Sequence, residues 1–288
     1  MRNVQIPSSC DGQLQSIRYI AGEKGAPLVV FLHIWSGDYT MNEPIWCELA
    51  QQRGWSLIQP DFRGPNIRPE ACGSELAQQD ILDAVEWAKA ELTAGRERIF
   101  LMGVSGGGHM AMLMTARYPK VWDAVSEWVG ISDLRQWYYE HLQDGEPQDY
   151  AKNVIASVGG VPGDSAIDIQ LRLRSPLGQL AAAKDVPIDF NAGVHDGHSG
   201  SVPIHHTLDA FNEIAVAHGA PVVWAHEIEQ LTTLRCLRDP LDCDRREDPL
   251  YGRKIHLRRL AGRSRVTIFE GGHEGLPVPT FSWFDRCC

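Results

Sequence analysis

The sequence predicts an α/β fold, a mostly parallel central sheet with helices on both faces. Three observations carry this. Short apolar runs alternate with longer amphipathic stretches along the whole chain. The apolar runs are continuous rather than alternating, the pattern of strands covered on both faces. One of them, Ile99 to Met102, leads into Gly103-Val104-Ser105-Gly106-Gly107 and then a helix-forming stretch that stops at Pro119.

The elements follow in chain order. Gln15 to Ile20 alternates and reads as an edge strand. Pro27 to His33 is a buried strand, Asn42 to Gln52 a helix, and Trp55 to Pro60 a second buried strand. Glu75 to Leu92 is a long amphipathic helix, with Leu76, Ile81, Leu82, Val85, Trp87 and Ala88 on one broad face and Ser74 as its cap. Strands are expected at Ile99–Met102, Ala124–Val129, Ile188–Val194 and Val266–Phe269, the last in the chain. Residues 134–185 read as mostly helical, and Pro203 to His218 as a helix. Residues 228–265, rich in Arg, Asp and Pro, have weak periodicity and read as an insertion. No internal repeat or linker divides the 288 residues, which suit a single large domain.

Composition narrows the function. A net charge of −10 argues against nucleic acid, which needs a basic face. No apolar stretch is long enough to span a bilayer, and Met1 to Pro7 lacks the apolar segment of a signal peptide, so a cytoplasmic, membrane-free protein is expected. The seven cysteines are odd in number and irregularly spaced, as for reduced thiols; a Cys236–Cys243 loop disulfide is the alternative. Neither Cys-x-x-Cys nor His-Glu-x-x-His occurs, so no metal is expected.

The chemistry centres on Ser105. Gly-x-Ser-x-Gly between a strand and a helix places the serine on a strained turn, where a side chain at Gly103 or Gly107 would collide with neighbouring backbone. A serine hydroxyl needs a base, and the base needs an orienting carboxylate. With Ser-acid-His order, His273 in the Gly-rich turn after the last strand is the candidate base. Two carboxylates follow strand ends: Asp196 and Asp133. Asp196 is favoured, because its strand is nearest in sequence to the histidine's and Val202-Pro203 opens the next helix; Asp133 reads as a helix cap or a cleft residue. The oxyanion donors are expected to be the N–H of Gly106 and that of Ile34 or Trp35 in the loop after the early strand, with those two side chains narrowing the site.

These residues resemble the α/β-hydrolase superfamily, in the branch of prolyl-oligopeptidase-like serine hydrolases and related acyl esterases of the acetyl xylan and feruloyl type. The matching segments are Leu32-His33 with Gly37, Pro60 to Gly64, Gly103 to Gly107, Gly193 to Asp196 with Val202-Pro203, and Gly272-His273. The resemblance spans most of residues 25–285. It implies a helical insertion after the sixth strand of that fold, with 134–185 as a lid, and a Ser105–His273–Asp196 triad without a cofactor. Peptidases of this branch usually carry an N-terminal gating domain, and 24 residues before Gly25 do not hold one. An esterase acting on a small or carbohydrate-linked ester is therefore expected ahead of a short peptidase. A non-catalytic binding protein on this scaffold is the alternative of another class.

Four further residues are expected to bind substrate: Arg63, following a strand end; Asp133; and Trp137 and Tyr138, as an aromatic wall suited to sugars. His195, His198, His205 and His206 gather around the acid and read as loop and helix-surface histidines rather than metal ligands. His109 reads as packing beside the site.

Overall fold

A computed structural model describes residues 1–92, 98–244 and 246–288. The elements are β1 (Arg2–Pro7), β2 (Leu14–Ile20), β3 (Leu28–Leu32), α1 (Pro44–Gln52), β4 (Ser56–Pro60), α2 (Glu75–Glu91), β5 (Ile99–Val104), α3 (Gly106–Arg117) and β6 (Ala124–Trp128). Then come α4 (Leu134–Glu140), a small hairpin of β7 (Leu142–Gln143) and β8 (Glu146–Pro147), α5 (Asp149–Val158), α6 (Ser165–Arg174), a 3₁₀ turn (Leu180–Ala183), β9 (Ile188–Gly193), α7 (His205–Ala217), α8 (Ala225–Leu234), β10 (Ile255–Ala261), β11 (Ser264–Phe269) and α9 (Pro277–Asp285).

The main sheet runs β1-β2-β4-β3-β5-β6-β9-β11-β10. From β4 to β11 every pair is parallel; β1/β2, β2/β4 and β10/β11 are antiparallel. Every residue of β3, β4, β6 and β9 is buried, which explains the continuous apolar run of β3; β6 and β9 also bury Glu127, Asp189 and Asn191. The chain steps from β3 to β4 on one side and returns to β5 on the other. The order thus reverses between β3 and β5, and a crevice opens beyond their carboxyl ends, the place where open α/β sheets bind ligands.

The sheet differs from expectation at both margins. β2 is not an edge, because β1 pairs outside it with Val4 opposite Ile17. The span 228–265 contributes the end of α8 and the margin strand β10. Its buried Arg258 and Arg259 disguise β10 as loop; they are tolerated because Arg258 pairs with Asp248 at 2.8 Å and Arg259 with Asp244 at 2.7 Å. Beside them Arg265 on β11 faces Asp189 on β9, Nε to Oδ1 at 2.5 Å, both side chains almost wholly buried.

The 134–185 segment packs on the carboxyl edge through a second apolar cluster that includes Trp35, Leu134, Trp137, Val154, Leu171 and Val202. All seven cysteines are free, Cys236 and Cys243 included. Among the described residues no helix is long and apolar enough to cross a membrane.

Candidate active site

The fully apolar β5 delivers its chain end into the crevice, and the turn that follows is tight enough to exclude side chains. A Cβ on Gly103 would stand 2.1 Å from the Gly107 carbonyl oxygen, and one on Gly107 would stand 2.2 Å from that of Leu32. Ser105 has φ of 59°, a strained value for a residue with a side chain, held by its N–H donating to Trp128 O at 2.8 Å. α3 is buried along almost its whole length, so this strain rests on the centre of the core.

Ser105, His273 and Asp196 come together from the ends of β5, β11 and β9. Ser105 Oγ lies 2.8 Å from His273 Nε2, and His273 Nδ1 lies 2.7 Å from Asp196 Oδ2. Asp196 is buried, and its other oxygen accepts the N–H groups of Gly197 at 2.9 Å and Val202 at 3.2 Å. A carboxylate acceptor at Nδ1 places the imidazole proton there and leaves Nε2 free to take the serine's proton. Asp133 is elsewhere: its Oδ1 caps α4, accepting from Arg135 N at 2.8 Å and Gln136 N at 3.2 Å. Gly106 abuts the loop after β3 so closely that a Cβ on it would stand 2.4 Å from Trp35 N. That juxtaposition brings the Trp35 main chain, more than that of Ile34, beside the first N–H of α3. The Ile34 side chain is exposed; Trp35 is buried and packs edge-on to Trp137, ring centroids 4.6 Å apart.

Other expected site residues are structural. Arg63 does not face the crevice: it is buried, with Nε to Asp80 at 2.5 Å and Nη1 to Asp11 at 2.8 Å. Trp137 and Tyr138 are buried, so they form no open wall; Trp137 Nε1 donates to Ser201 O at 2.8 Å, fastening α4 to the Asp196 loop. His109 is fully buried with Nδ1 on Ile131 O, and burial pushes its pKa down to about 4, which keeps it neutral.

Among the described residues, Glu140, His205 and His206 are the one group whose ligand-type atoms lie within 4.8 Å of one another. The His206 Nδ1 accepts the N–H of Ser132 at 3.2 Å, so its proton sits on Nε2, facing Glu140 at 3.1 Å. His205 touches Glu140 at 2.6 Å and Asp209 at 3.3 Å; burial opposes its charge, but the two carboxylates outweigh it and push the pKa up to about 9. The cluster is thus an ion-pair link between α4 and α7.

Two features escaped the sequence. The first is a brace on either side of His273. Glu270 reaches His195 Nε2 at 2.5 Å and His256 Nε2 at 2.8 Å, while Glu274 takes the Arg253 fork at 2.6 and 3.0 Å. The spacing of the two glutamates about the histidine was the available signal. The second is Glu127, fully buried under the N-terminus of α3, with Oε2 accepting Gly130 N at 3.1 Å. Burial pushes its pKa up to about 8. A carboxyl held neutral in the fold favours folding at low pH, and that advantage is lost as pH rises from its unfolded value, 4.5, towards 8. The protein should therefore lose stability relative to Glu127→Gln across this window, by about 1 kcal/mol or 2–4 °C per pH unit, as calorimetric Tm values at pH 5, 7 and 9 would show. Parallel pH profiles would refute this.

A model described as "Prolyl oligopeptidase family" matches residues 48–155, which include Ser105 but neither His273 nor Asp196. No curated protein matches the chain in sequence. Among solved structures, the acylaminoacyl peptidase of Pyrococcus horikoshii is similar at 19% identity and TM-score 0.59, over 75% of this chain and 34% of that one. A puromycin-hydrolyzing peptidase of Mycobacterium tuberculosis is similar at 18% identity and TM-score 0.58, over 80% and 38%. Prolyl oligopeptidase B from Galerina marginata, bound to a 35mer hydrolysis and macrocyclization substrate, follows at 17% identity and TM-score 0.56, over 75% and 31%. The match thus spans about a third of the length of these relatives. The fold is that of the α/β-hydrolases.

Proposed function

We propose that this chain, a serine hydrolase of the α/β-hydrolase superfamily resembling the prolyl oligopeptidase family, cleaves amide bonds in short peptides through an acyl-enzyme. The observation that carries the reading is the unbroken Ser105–His273–Asp196 hydrogen-bond chain on a strained elbow inside the segment matched by that family. The similar solved structures are of peptidases, which supports moving the substrate from the esters favoured by sequence alone to peptides.

Ser105 Oγ attacks the carbonyl carbon while His273 Nε2 takes the hydroxyl proton. The N–H groups of Gly106 and Trp35 stabilise the oxyanion. The intermediate collapses, the C–N bond breaks, and the proton on Nε2 passes to the leaving amine. Water, deprotonated by the same nitrogen, then hydrolyses the acyl-serine. A short peptide substrate and a reducing compartment for the free thiols complete the reading.

The test treats the protein with a fluorophosphonate probe and with matched peptidyl-amide and p-nitrophenyl ester substrates, beside Ser105→Ala. We expect Ser105-dependent labelling and amide turnover that falls by about 10⁴- to 10⁶-fold in the variant. Turnover of esters without amides would return the reading to an esterase. Absence of labelling would leave a binding protein on this scaffold.

A further inference from the structure

A cleft of about 820 Å³ lies against the His273 loop rather than over Ser105: its lining Arg253 and His256 pair with Glu274 and Glu270 of that loop. Its lining comes from within residues 236–244 and 246–256, which lead into β10. Because β10 is antiparallel to β11, its start lies at the sheet edge that carries Asp196 and His273. From β5 to β10 the sheet takes four steps, roughly 19 Å at about 4.8 Å each.

The charges in this cleft are unequal. Asp244 and Asp248 line it, but both are taken by Arg259 and Arg258 behind the wall. Arg246 and Lys254 line it too, are exposed, and have no ion pair among the described residues; Glu247 is the acid that stands against them. Two cations without an ion pair thus face one such acid, with Arg259 behind the wall shared between Asp244 and Glu227. Leu237, Pro240, Pro249 and Ile255 give it an apolar wall. A ligand that fits carries a carboxylate next to an apolar group.

The reaction supplies a direction. The base that takes the serine's proton later gives it to the leaving amine, so the leaving half of the substrate lies on the His273 side of Ser105. The cleft is on that side, beyond the His273 loop, whose Glu274 is held by the cleft-lining Arg253. An extended peptide covers roughly 19 Å in about six residues at about 3.3 Å each.

We propose that this cleft is a subsite for the free C-terminal carboxylate and last apolar side chain of the peptide's leaving half. The proposal rests on the peptidase reading. It makes the enzyme select peptides that end about six residues past the cleaved bond, with Arg246 and Lys254 taking the carboxylate.

Fluorescence-quenched peptides sharing one scissile bond and extended beyond it by one to about eight residues test this. Each is made as the free acid and as the C-terminal amide, and assayed on the native protein and on Arg246→Gln/Lys254→Gln. For the acids, KM should fall by about 5- to 10-fold as the extension nears six residues, the effect of two exposed ion pairs. The amides and the double variant should lack this gain, with kcat on the shortest peptide unchanged. Calorimetry of a long acid and its amide on Ser105→Ala should give the same preference without turnover. Cleavage with no dependence on length or carboxylate overturns the subsite and leaves the peptidase reading standing. If no peptide is cleaved, the peptidase reading falls. Calorimetry then decides the cleft alone: preference for the acid, lost when the two cations are removed, keeps carboxylate binding, and equal binding overturns it.

Discussion

Asp196→Asn should lower kcat by about 10⁴-fold while Asp133→Asn changes it by no more than a few-fold. The reason is an enforced tautomer. The Oδ1 of Asp196 accepts two backbone N–H groups, from Gly197 and Val202. An amide at this position must keep its oxygen towards those donors, so its NH₂ faces His273 Nδ1, which then has to accept. The imidazole proton moves to Nε2, where it blocks the transfer from Ser105. Binding is left intact, so KM should change little and the burst of labelling at Ser105 should slow in step with kcat. The carboxyl of Asp133 serves Arg135 and Gln136 N–H at the start of α4, and its loss costs a cap worth about 1 kcal/mol of local stability. Equal losses in the two variants, or a loss confined to Asp133→Asn, would remove Asp196 from the mechanism.

The second large effect is on folding. Arg265→Met should destabilise the protein by about 3–5 kcal/mol, because it strands the Asp189 carboxylate in the sheet with no counter-charge. Asp189 is completely buried, and Arg265 also stacks over Trp283 at 4.8 Å. Adding Asp189→Asn to Arg265→Met should recover most of the loss, since the stranded charge is then gone. Denaturant midpoints of the two variants check this. A single variant that melts like the native protein would show that water reaches this pair. A double variant no better than the single would place the loss in packing against Trp283.

What the sequence revealed and what it concealed divide along a physical line. Local rules carried the elbow: the glycine at 103 is demanded by contact with Gly107, four residues on, and the apolar runs of β3 and β5 follow from burial on both faces. Pairing across long separations was hidden. Arg63 looks like a cleft residue until Asp80 and Asp11, 17 and 52 positions away, surround it. Arg258 and Arg259 make β10 look like surface until Asp244, Asp248 and Glu227 neutralise them. Trp137 and Tyr138 offered no periodicity to separate a substrate wall from a core, and the second apolar cluster claimed them. Chain order pointed to Ser105, Asp196 and His273, whereas the spacing of the glutamates about His273 does not announce their partners His195, His256 and Arg253.

The joining of the two loops behind Ser105 has a consequence for the triad. Val194 N–H donates to Phe269 O at 2.8 Å and His195 N–H to Gly271 O at 2.9 Å, continuing the β9–β11 ladder past the end of the sheet. Asp196 and His273 therefore sit on one backbone ribbon, while Ser105 sits at the end of β5, two strands away in the sheet from β9. Imidazole and hydroxyl, by contrast, meet through one side-chain contact, Ser105 Oγ to His273 Nε2, with no shared ladder between their own loops among the described residues.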